Sequence, residues 1–322
     1  MLHVMRRVEQ FARVADFPIH FEGSTGVGKS MFAELLHRCS PRSARPYVAV
    51  DVGSVDDALA ASHLYGHERG SFTGAIAGRR GLFAEANGGT IFFDEIGKAS
   101  LTMQQRLLSA VETKRALPVG ANRPIQFDAR VVSASNISLD RLIARGLFLP
   151  DLAARLRGMT IRVPPLSERR ADIPELAARY IAFAAASAGY EEPPAIDAEL
   201  MDALVRARWP ENVRQLHRTL HCLLIIAHPA PVLALKHCED EFSYLRGKIR
   251  TPRGSATVAD VERAITETGS YEGAARQLGK SLASVYRILP ASVRRTGEFP
   301  AFPLRRVGGE EALPQECREN SR

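Results

Sequence analysis

Residues 23–30 read GSTGVGKS. Their types and spacing fit G-x-x-x-x-G-K-[ST], a loop that cradles phosphates. Gly23, Gly26 and Gly28 let the backbone close around an anion with its amides, and Ser24, Thr25 and Val27 complete the turn. Lys29 is placed to reach the outer phosphates of a nucleotide, and Ser30 to hold Mg²⁺. A second set follows in GGTIFFDEI, residues 88–96. Ile91, Phe92 and Phe93 read as a buried strand, so Asp94 and Glu95 emerge at its carboxyl end, where ligands of α/β sheets gather. Adjacent carboxylates there suit Mg²⁺ organisation by Asp94 and water activation by Glu95. The two motifs together read as a nucleoside triphosphatase.

Such residues need a scaffold, and the chain supplies the pattern of one. FPIHFEG reads as a strand before the phosphate loop. SMFAELLHRC reads as a helix after it, with Phe32, Leu35, Leu36 and Cys39 on one face. That helix aims its positive end at the anion. YVAVDVG, GTIFFDEI, ARVVSAS and MTIRVPPL read as further strands, and LTMQQRLLSAVET as a helix between two of them. Nearly continuous apolar strands separated by helices indicate a parallel sheet covered on both faces. The α/β part is expected over 1–168. Beyond PPLSERRADIP the strands stop, and ELAARYIAFAAASAG, DAELMDALVRA and NVRQLHRTLHCLLIIA predict an all-α subdomain over 169–245. A basic linker over 246–255, a compact helical unit over 256–290 and a disordered tail over 291–322 complete the expected organisation.

Composition sets the outer bounds. The 322 residues are 45% hydrophobic and 25% charged, an ordinary globular balance. No apolar run approaches the roughly 20 residues that span a bilayer. The N-terminus lacks a signal-peptide core, so a cytoplasmic protein is expected. The net charge of +7 points to a polyanionic partner. Cys39, Cys222, Cys238 and Cys317 lie far apart without a CxxC pair, which argues against a zinc ribbon or a disulfide framework.

One stretch has no clear period: LYGHERGSFTGAIAGRRG, residues 64–81. It places a lone Phe72 among glycines, and a loop of that kind exists to touch something. In order, GSTGVGKS, LYGHERGSFTGA, GGTIFFDEIG, PPLSERRADIP and WPENVRQL resemble the sigma-54-dependent transcriptional activators, the bacterial enhancer-binding proteins of the AAA+ ATPases. The resemblance covers roughly residues 5–290. It implies an α/β AAA+ P-loop ATPase with a parallel sheet, a helical lid and a C-terminal helix-turn-helix. It implies ATP and Mg²⁺ as cofactors. It also implies that Gly70, Ser71, Phe72, Thr73, Gly74 and Ala75 contact sigma-54 in the RNA polymerase holoenzyme, with Gly70, Gly74 and Gly78 giving the loop freedom to move. By the same resemblance Asn136 is the first sensor and Arg214 the second. Arg155 in LPDLAARL is the arginine finger that reaches a neighbouring subunit, which implies a hexameric ring.

Four departures from the family pattern bear on turnover. Leu149 stands where an arginine is usual, and Asp51 where an asparagine restrains the catalytic glutamate. An aspartate there is expected to repel Glu95 or share a proton with it. Ser30 replaces a common glutamate, and Glu211 a glycine. The alternative reading is therefore a DNA-binding regulator that binds ATP as an assembly ligand with weak hydrolysis, in a hetero-oligomer whose partner supplies the missing arginine.

The C-terminal stretch VADVERAITETGSYEGAARQLGKSLASVYRIL reads as three short helices, with Val258, Val261 and Ile265 then Ala274, Ala275 and Leu278 facing a core. It resembles the Fis-type helix-turn-helix that ends the family. Ten Lys and Arg stand against four Asp and Glu between Arg246 and Arg295, which suits phosphate contacts with double-stranded DNA. Lys280, Ser281, Ser284 and Arg287 are the expected DNA-facing residues. About twenty residues before the phosphate loop leave no room for a receiver domain, so control by phosphorylation in cis is not expected.

Overall fold

The structure is a computed structural model that describes residues 1–55, 57, 59–72, 75–238, 242, 245, 258–268, 271–278 and 285. It divides into a unit running from Met1 to Pro164 and a second beginning at Pro165.

The first unit opens with α1 (Leu2–Ala12), then β1 (Ile19–Glu22), α2 (Lys29–Arg38), β2 (Tyr47–Asp51) and α3 (Ala60–Tyr65). Two-residue strands β3 (Gly66–His67) and β4 (Arg79–Arg80) pair antiparallel around the glycine-rich loop. Next come α4 (Leu82–Glu85), β5 (Thr90–Asp94) and α5 (Leu101–Thr113). A second short pair, β6 (Arg115–Ala116) and β7 (Ile125–Gln126), precedes β8 (Arg130–Ser135), α6 (Leu139–Ala144), α7 (Pro150–Leu156) and β9 (Met159–Arg162).

Five strands form one parallel sheet in the order β2-β5-β8-β1-β9. Register sets the site. Asp51 pairs with Asp94 across β2 and β5, and Glu22 with Ser135 across β1 and β8. The strands therefore end level, and the loops leaving β1, β5 and β8 rise from one edge. Alternation along β5 splits the core: Ile91 and Phe93 pack with Met103, Leu107, Leu152 and Leu156, and Phe92 with Phe21, Phe32, Leu36 and Val8. Helices thus cover both faces, as the continuous apolar strands require.

Two buried titratable side chains sit in this sheet. His20 lies between Ser133 and Ser135, with ring nitrogens 2.8 and 3.0 Å from their hydroxyls. Arg130, at the start of β8, donates to the carbonyls of Phe11 (2.8 Å), Ala12 (3.4 Å) and Phe17 (3.1 Å), the C-terminal end of α1 and the turn after it.

The second unit contains α8 (Ile173–Ala184), β10 (Ala195–Ile196), α9 (Ala198–Arg206), α10 (Asn212–Ala227) and β11 (Val232–Leu233). Asp197 caps α9 by accepting from the Leu200 amide at 2.6 Å. Leu204, Leu216, Leu220, Leu223 and Leu224 fill its core. The expectation that strands stop after PPLSERRADIP is corrected by the parallel pair β10–β11. Two residues are too few to show a period of two, so the pair leaves no mark in the sequence. Further on, α11 (Val258–Thr268) and α12 (Tyr271–Gln277) pack through Val261, Ala264, Ile265, Ala274, Ala275 and Val285. Lys280, Ser281, Ser284 and Arg287 lie outside the described residues, as does the expected tail.

Cys222 and Cys238 are free, and Cys39 is disulfide-bonded. Among the described residues, no helix is long and apolar enough to cross a membrane.

Candidate functional site

The loop between β1 and α2 turns through two left-handed glycines, Gly26 (φ 76°) and Gly28 (φ 101°), and Gly28 caps α2. A side chain on Gly23 would meet the Val163 carbonyl at 2.6 Å, so this position requires glycine for close approach rather than for its dihedrals. Helix α2 starts at Lys29, which is only 6% exposed. Its ammonium donates to the carbonyls of Gly23 (2.7 Å) and Ser24 (3.2 Å) and to Asn136 Oδ1 (2.5 Å). The lysine is held by the loop it serves and by the end of β8.

Ser30 donates its hydroxyl to Asp94 Oδ2 at 2.7 Å, and the Glu95 amide donates to Asp94 Oδ1 at 2.9 Å. Both Asp94 oxygens are thereby oriented. Glu95 itself is left-handed (φ 52°), a conformation that costs a residue with a Cβ on the order of 1 kcal/mol. It starts the one-turn 3₁₀ helix Ile96–Lys98. Its Oε1 accepts from Asn136 Nδ2 at 3.0 Å, and its Oε2 is ion-paired with Lys98. The Lys98 contact, with help from Asn136 and Lys29, holds the Glu95 carboxyl below the usual carboxylate range, against the opposing pull of partial burial.

Asp51 does not take up the relation to Glu95 that its type predicts. Its Oδ1 accepts from the Gly53 amide at 3.0 Å, capping the turn after β2, and Glu95 bonds to Asn136 and Lys98 instead. The expected repulsion is met by a cation, because the 3₁₀ turn brings residue 98 back over residue 95.

The glycine-rich loop is built on β3. The Gly70 amide donates to the Ala75 carbonyl (2.8 Å) and the Ala75 amide to the Phe72 carbonyl (3.0 Å). Phe72 is 39% exposed and meets the His67 ring edge-on at 5.0 Å. His67 is fixed by Ser62 Oγ (2.8 Å) and the Ala77 carbonyl (3.0 Å). Gly70 is left-handed (φ 79°), with open space where a Cβ would stand. A Cβ on Gly78 would lie 3.3 Å from the His67 carbonyl, so glycine there also permits a close backbone approach. Thr73 and Gly74 lie outside the described residues. Ser71 has a neighbour that the sequence did not suggest. A Cβ on Gly120 would meet that of Ser71 at 2.7 Å, and Val119 exchanges backbone bonds of 2.9 Å with Glu68 and Gly66. The β6–β7 loop is zipped to the base of the glycine-rich one.

Arg155 lies on α7, its side chain 59% exposed, with Nε 3.1 Å from Glu112 Oε1 on α5. Leu149 is the residue before α7. Its amide donates to Gln104 Oε1 at 2.8 Å, and its side chain packs on the core beneath β5. In the second unit Arg214 is exposed on the first turn of α10, and Glu211 pairs with Arg218 at 3.3 Å. The site thus unites Gly23–Ser30, Asp94, Glu95 and Asn136 in the first unit. Sequence reasoning missed Lys98, Glu112 and the Val119–Gly120 contact. The first two are charges with no motif around them. For the third, the GAN and RP residues after LPV mark a turn but not the loop it meets.

This arrangement is that of a nucleotide-binding α/β protein of the AAA+ type, and the second unit's helices are matched by the AAA+ ATPase lid domain over residues 167–253. Residues 1–162 match the sigma-54 interaction domain, and the chain belongs to that family. Among curated relatives, the transcriptional regulatory protein GlrR of Escherichia coli K12 is 33% identical over 306 residues, covering 89% of this chain and 65% of its own length. The DNA-binding transcriptional regulator NtrC of Salmonella typhimurium is 39% identical over 233 residues, 72% of this chain and 49% of its own. The chain therefore spans about half to two thirds of the curated relatives it matches. The crystal structure of NtrX from Brucella abortus in complex with ATP superposes with a TM-score of 0.70 at 25% identity, covering 89% of this chain and 66% of that one.

Proposed function

We propose that this chain binds and hydrolyses ATP and spends the resulting motion on sigma-54 RNA polymerase holoenzyme to open a promoter. The observation that carries the reading is Asn136. One amide touches both the phosphate lysine, Lys29, and the water-activating carboxylate, Glu95. A γ-phosphate that draws Lys29 toward itself must disturb Asn136, and through it Glu95. Glu95 takes the proton of the attacking water, Lys29 and the loop amides hold the phosphates, and Arg155 reaches the γ-phosphate of a neighbouring subunit in a ring.

The Ser30 hydroxyl and the Asp94 carboxylate, 2.7 Å apart, are hard oxygen donors suited to Mg²⁺. When bound, the ion neutralises charge on the phosphates. The exposed ring of Phe72 forms the contact with sigma-54, together with Gly70–Ala75. The C-terminal helices over 256–290 bind double-stranded DNA through Lys280, Ser281, Ser284 and Arg287.

A second reading is favoured by two observations: both Glu95 oxygens are engaged, and Leu149 offers no donor to phosphate. In it, ATP is an assembly ligand that is hydrolysed slowly. One experiment separates the two: ATP-dependent open-complex formation with sigma-54 and with sigma-70 holoenzyme, alongside phosphate release, for the wild type and Lys29→Ala. The first reading expects opening with sigma-54 holoenzyme that tracks phosphate release and disappears in Lys29→Ala. Opening with a non-hydrolysable analogue supports the second. Opening that survives Lys29→Ala overturns both.

A further inference from the structure

Lys98 has no motif to explain it, yet it pairs with the residue on which hydrolysis depends. Glu95 caps the 3₁₀ turn that ends at Lys98, and the Lys98 amide returns to the Glu95 carbonyl at 2.8 Å. Three residues per turn place the two side chains one above the other. The ammonium then pairs with Glu95 Oε2 while Asn136 holds Oε1. A carboxylate oxygen that faces an ammonium is a poor acceptor for the proton of a water. A third side chain meets them. A Cβ built on Gly53 would lie 3.0 Å from Lys98 Cδ, 3.3 Å from Glu95 Oε2 and 3.4 Å from Asp51 Oδ1. Lacking that carbon, Gly53 lets a cation and two carboxylates converge on one spot. Asp51 commits Oδ1 to the Gly53 amide, and its second oxygen has no hydrogen bond among the described residues.

We propose that Lys98 is a positioning residue that holds the Glu95 carboxylate out of action between turnovers, and that Asp51 takes the ammonium when Glu95 is released. The charge pair does by attraction what an uncharged amide at position 51 would do by hydrogen bonding. Asp51 and Lys98 are thus one device, and the aspartate is tolerable because the lysine accompanies it. Lys98 is largely exposed, its side chain 59% accessible, so the hold is shallow enough to break in each cycle. The inference rests on Glu95 being the water activator.

The test compares full-length wild type with Lys98→Met, Lys98→Arg, Glu95→Gln and Lys98→Met/Glu95→Gln. The readouts are kcat and KM for MgATP hydrolysis and the Kd of a non-hydrolysable ATP analogue. Lys98→Met is expected to raise kcat about threefold, within what one exposed ion pair can hold, with KM and analogue affinity unchanged. Lys98→Arg keeps the charge and stays closer to wild type. The double variant is as inactive as Glu95→Gln, because the gain runs through Glu95. Lys98→Gln carries the same expectation as Lys98→Met should the latter be insoluble. A kcat that stays level or falls when the lysine is removed, with analogue affinity intact, overturns the proposal while the functional reading stands. Wild-type hydrolysis by Glu95→Gln overturns the functional reading and the proposal with it.

Discussion

Asn136 can do its work because a carboxamide carries an acceptor and a donor on one rigid fork. Its Oδ1 takes a hydrogen bond from Lys29 and its Nδ2 gives one to Glu95. An aspartate there could not donate to Glu95, and a longer glutamine would not seat both ends. His20, in the strand that leads to the phosphate loop, is a titrating residue in the same sheet. Ser135 donates its single hydroxyl proton to the Ile137 carbonyl at 2.7 Å, so it accepts from His20 Nε2–H, and Ser133 donates to Nδ1 of the neutral ring. They do not pay for a charge. Burial first, then Arg157 and Lys29, push the His20 pKa from 6.5 down to about 4. The sign follows from proton counting. Between about 6.5 and 4 the unfolded chain binds a proton at this position and the folded chain does not, so stability falls as pH drops through that window. From pH 7 to pH 4.5 the loss attributable to His20 is on the order of 2–3 kcal/mol. Urea unfolding of wild type and His20→Gln at both pH values checks it. The variant is expected to lose less stability on acidification; an equal loss in both proteins contradicts the argument.

At the scale of elements, α1 shows how a helix can be finished by a distant strand. Its own last turn contains no basic residue, and Arg13 stands just past it at the cap. Arg130 supplies one from β8, bonding Phe11, Ala12 and Phe17, and burial lowers its guanidinium to about 10. A cation at a helix C-terminus opposes the dipole and adds a charged donor to carbonyls of the last turn, of which Phe11 O also accepts from the Val14 amide at 3.4 Å. Arg130→Met removes the guanidinium's hydrogen bonds to all three carbonyls, and is expected to cost about 2 kcal/mol in urea unfolding. Limited proteolysis should then cut first between α1 and β1. An Arg130→Met protein as stable and protected as wild type would show that α1 is held by Val4, Val8 and Ala12 alone. Arg130 also marks what the sequence makes legible. GSTGVGKS, the Asp94–Glu95 pair and the strands that carry them are local patterns, and each is found where its spacing predicts. The Arg130 cap, the Lys98–Glu95 pair and the meeting of Gly120 with Ser71 are not local patterns. They depend on register, on a left-handed Glu95 and on two loops lying side by side, none of which a window of residues records. Leu149 falls between: its lost arginine is visible in the text, but its packing on the core is not.

For the whole molecule, the position of Arg155 decides whether one chain suffices. Its guanidinium pairs with Glu112 across two helices, and at 59% exposure that bond is weak enough to be exchanged for a stronger acceptor. A finger that completes a neighbour's site makes hydrolysis a property of the boundary between subunits. That has an arithmetical consequence. Lys29→Ala removes the phosphate lysine and leaves the finger; Arg155→Ala does the reverse. Each variant alone is expected to be inactive. In rings formed from equal amounts of both, a boundary works when an Arg155→Ala subunit supplies the site and a Lys29→Ala subunit the finger. Random assembly makes about one boundary in four of that kind, so the mixture should recover up to roughly a quarter of wild-type phosphate release. Recovery must also follow the product of the two variants' fractions, with its maximum at equal amounts, and vanish on dilution that dissociates the ring. If the finger served its own subunit, no mixture could combine the intact halves. Phosphate release from the mixture would then equal the average of two inactive proteins, and the trans geometry would fall.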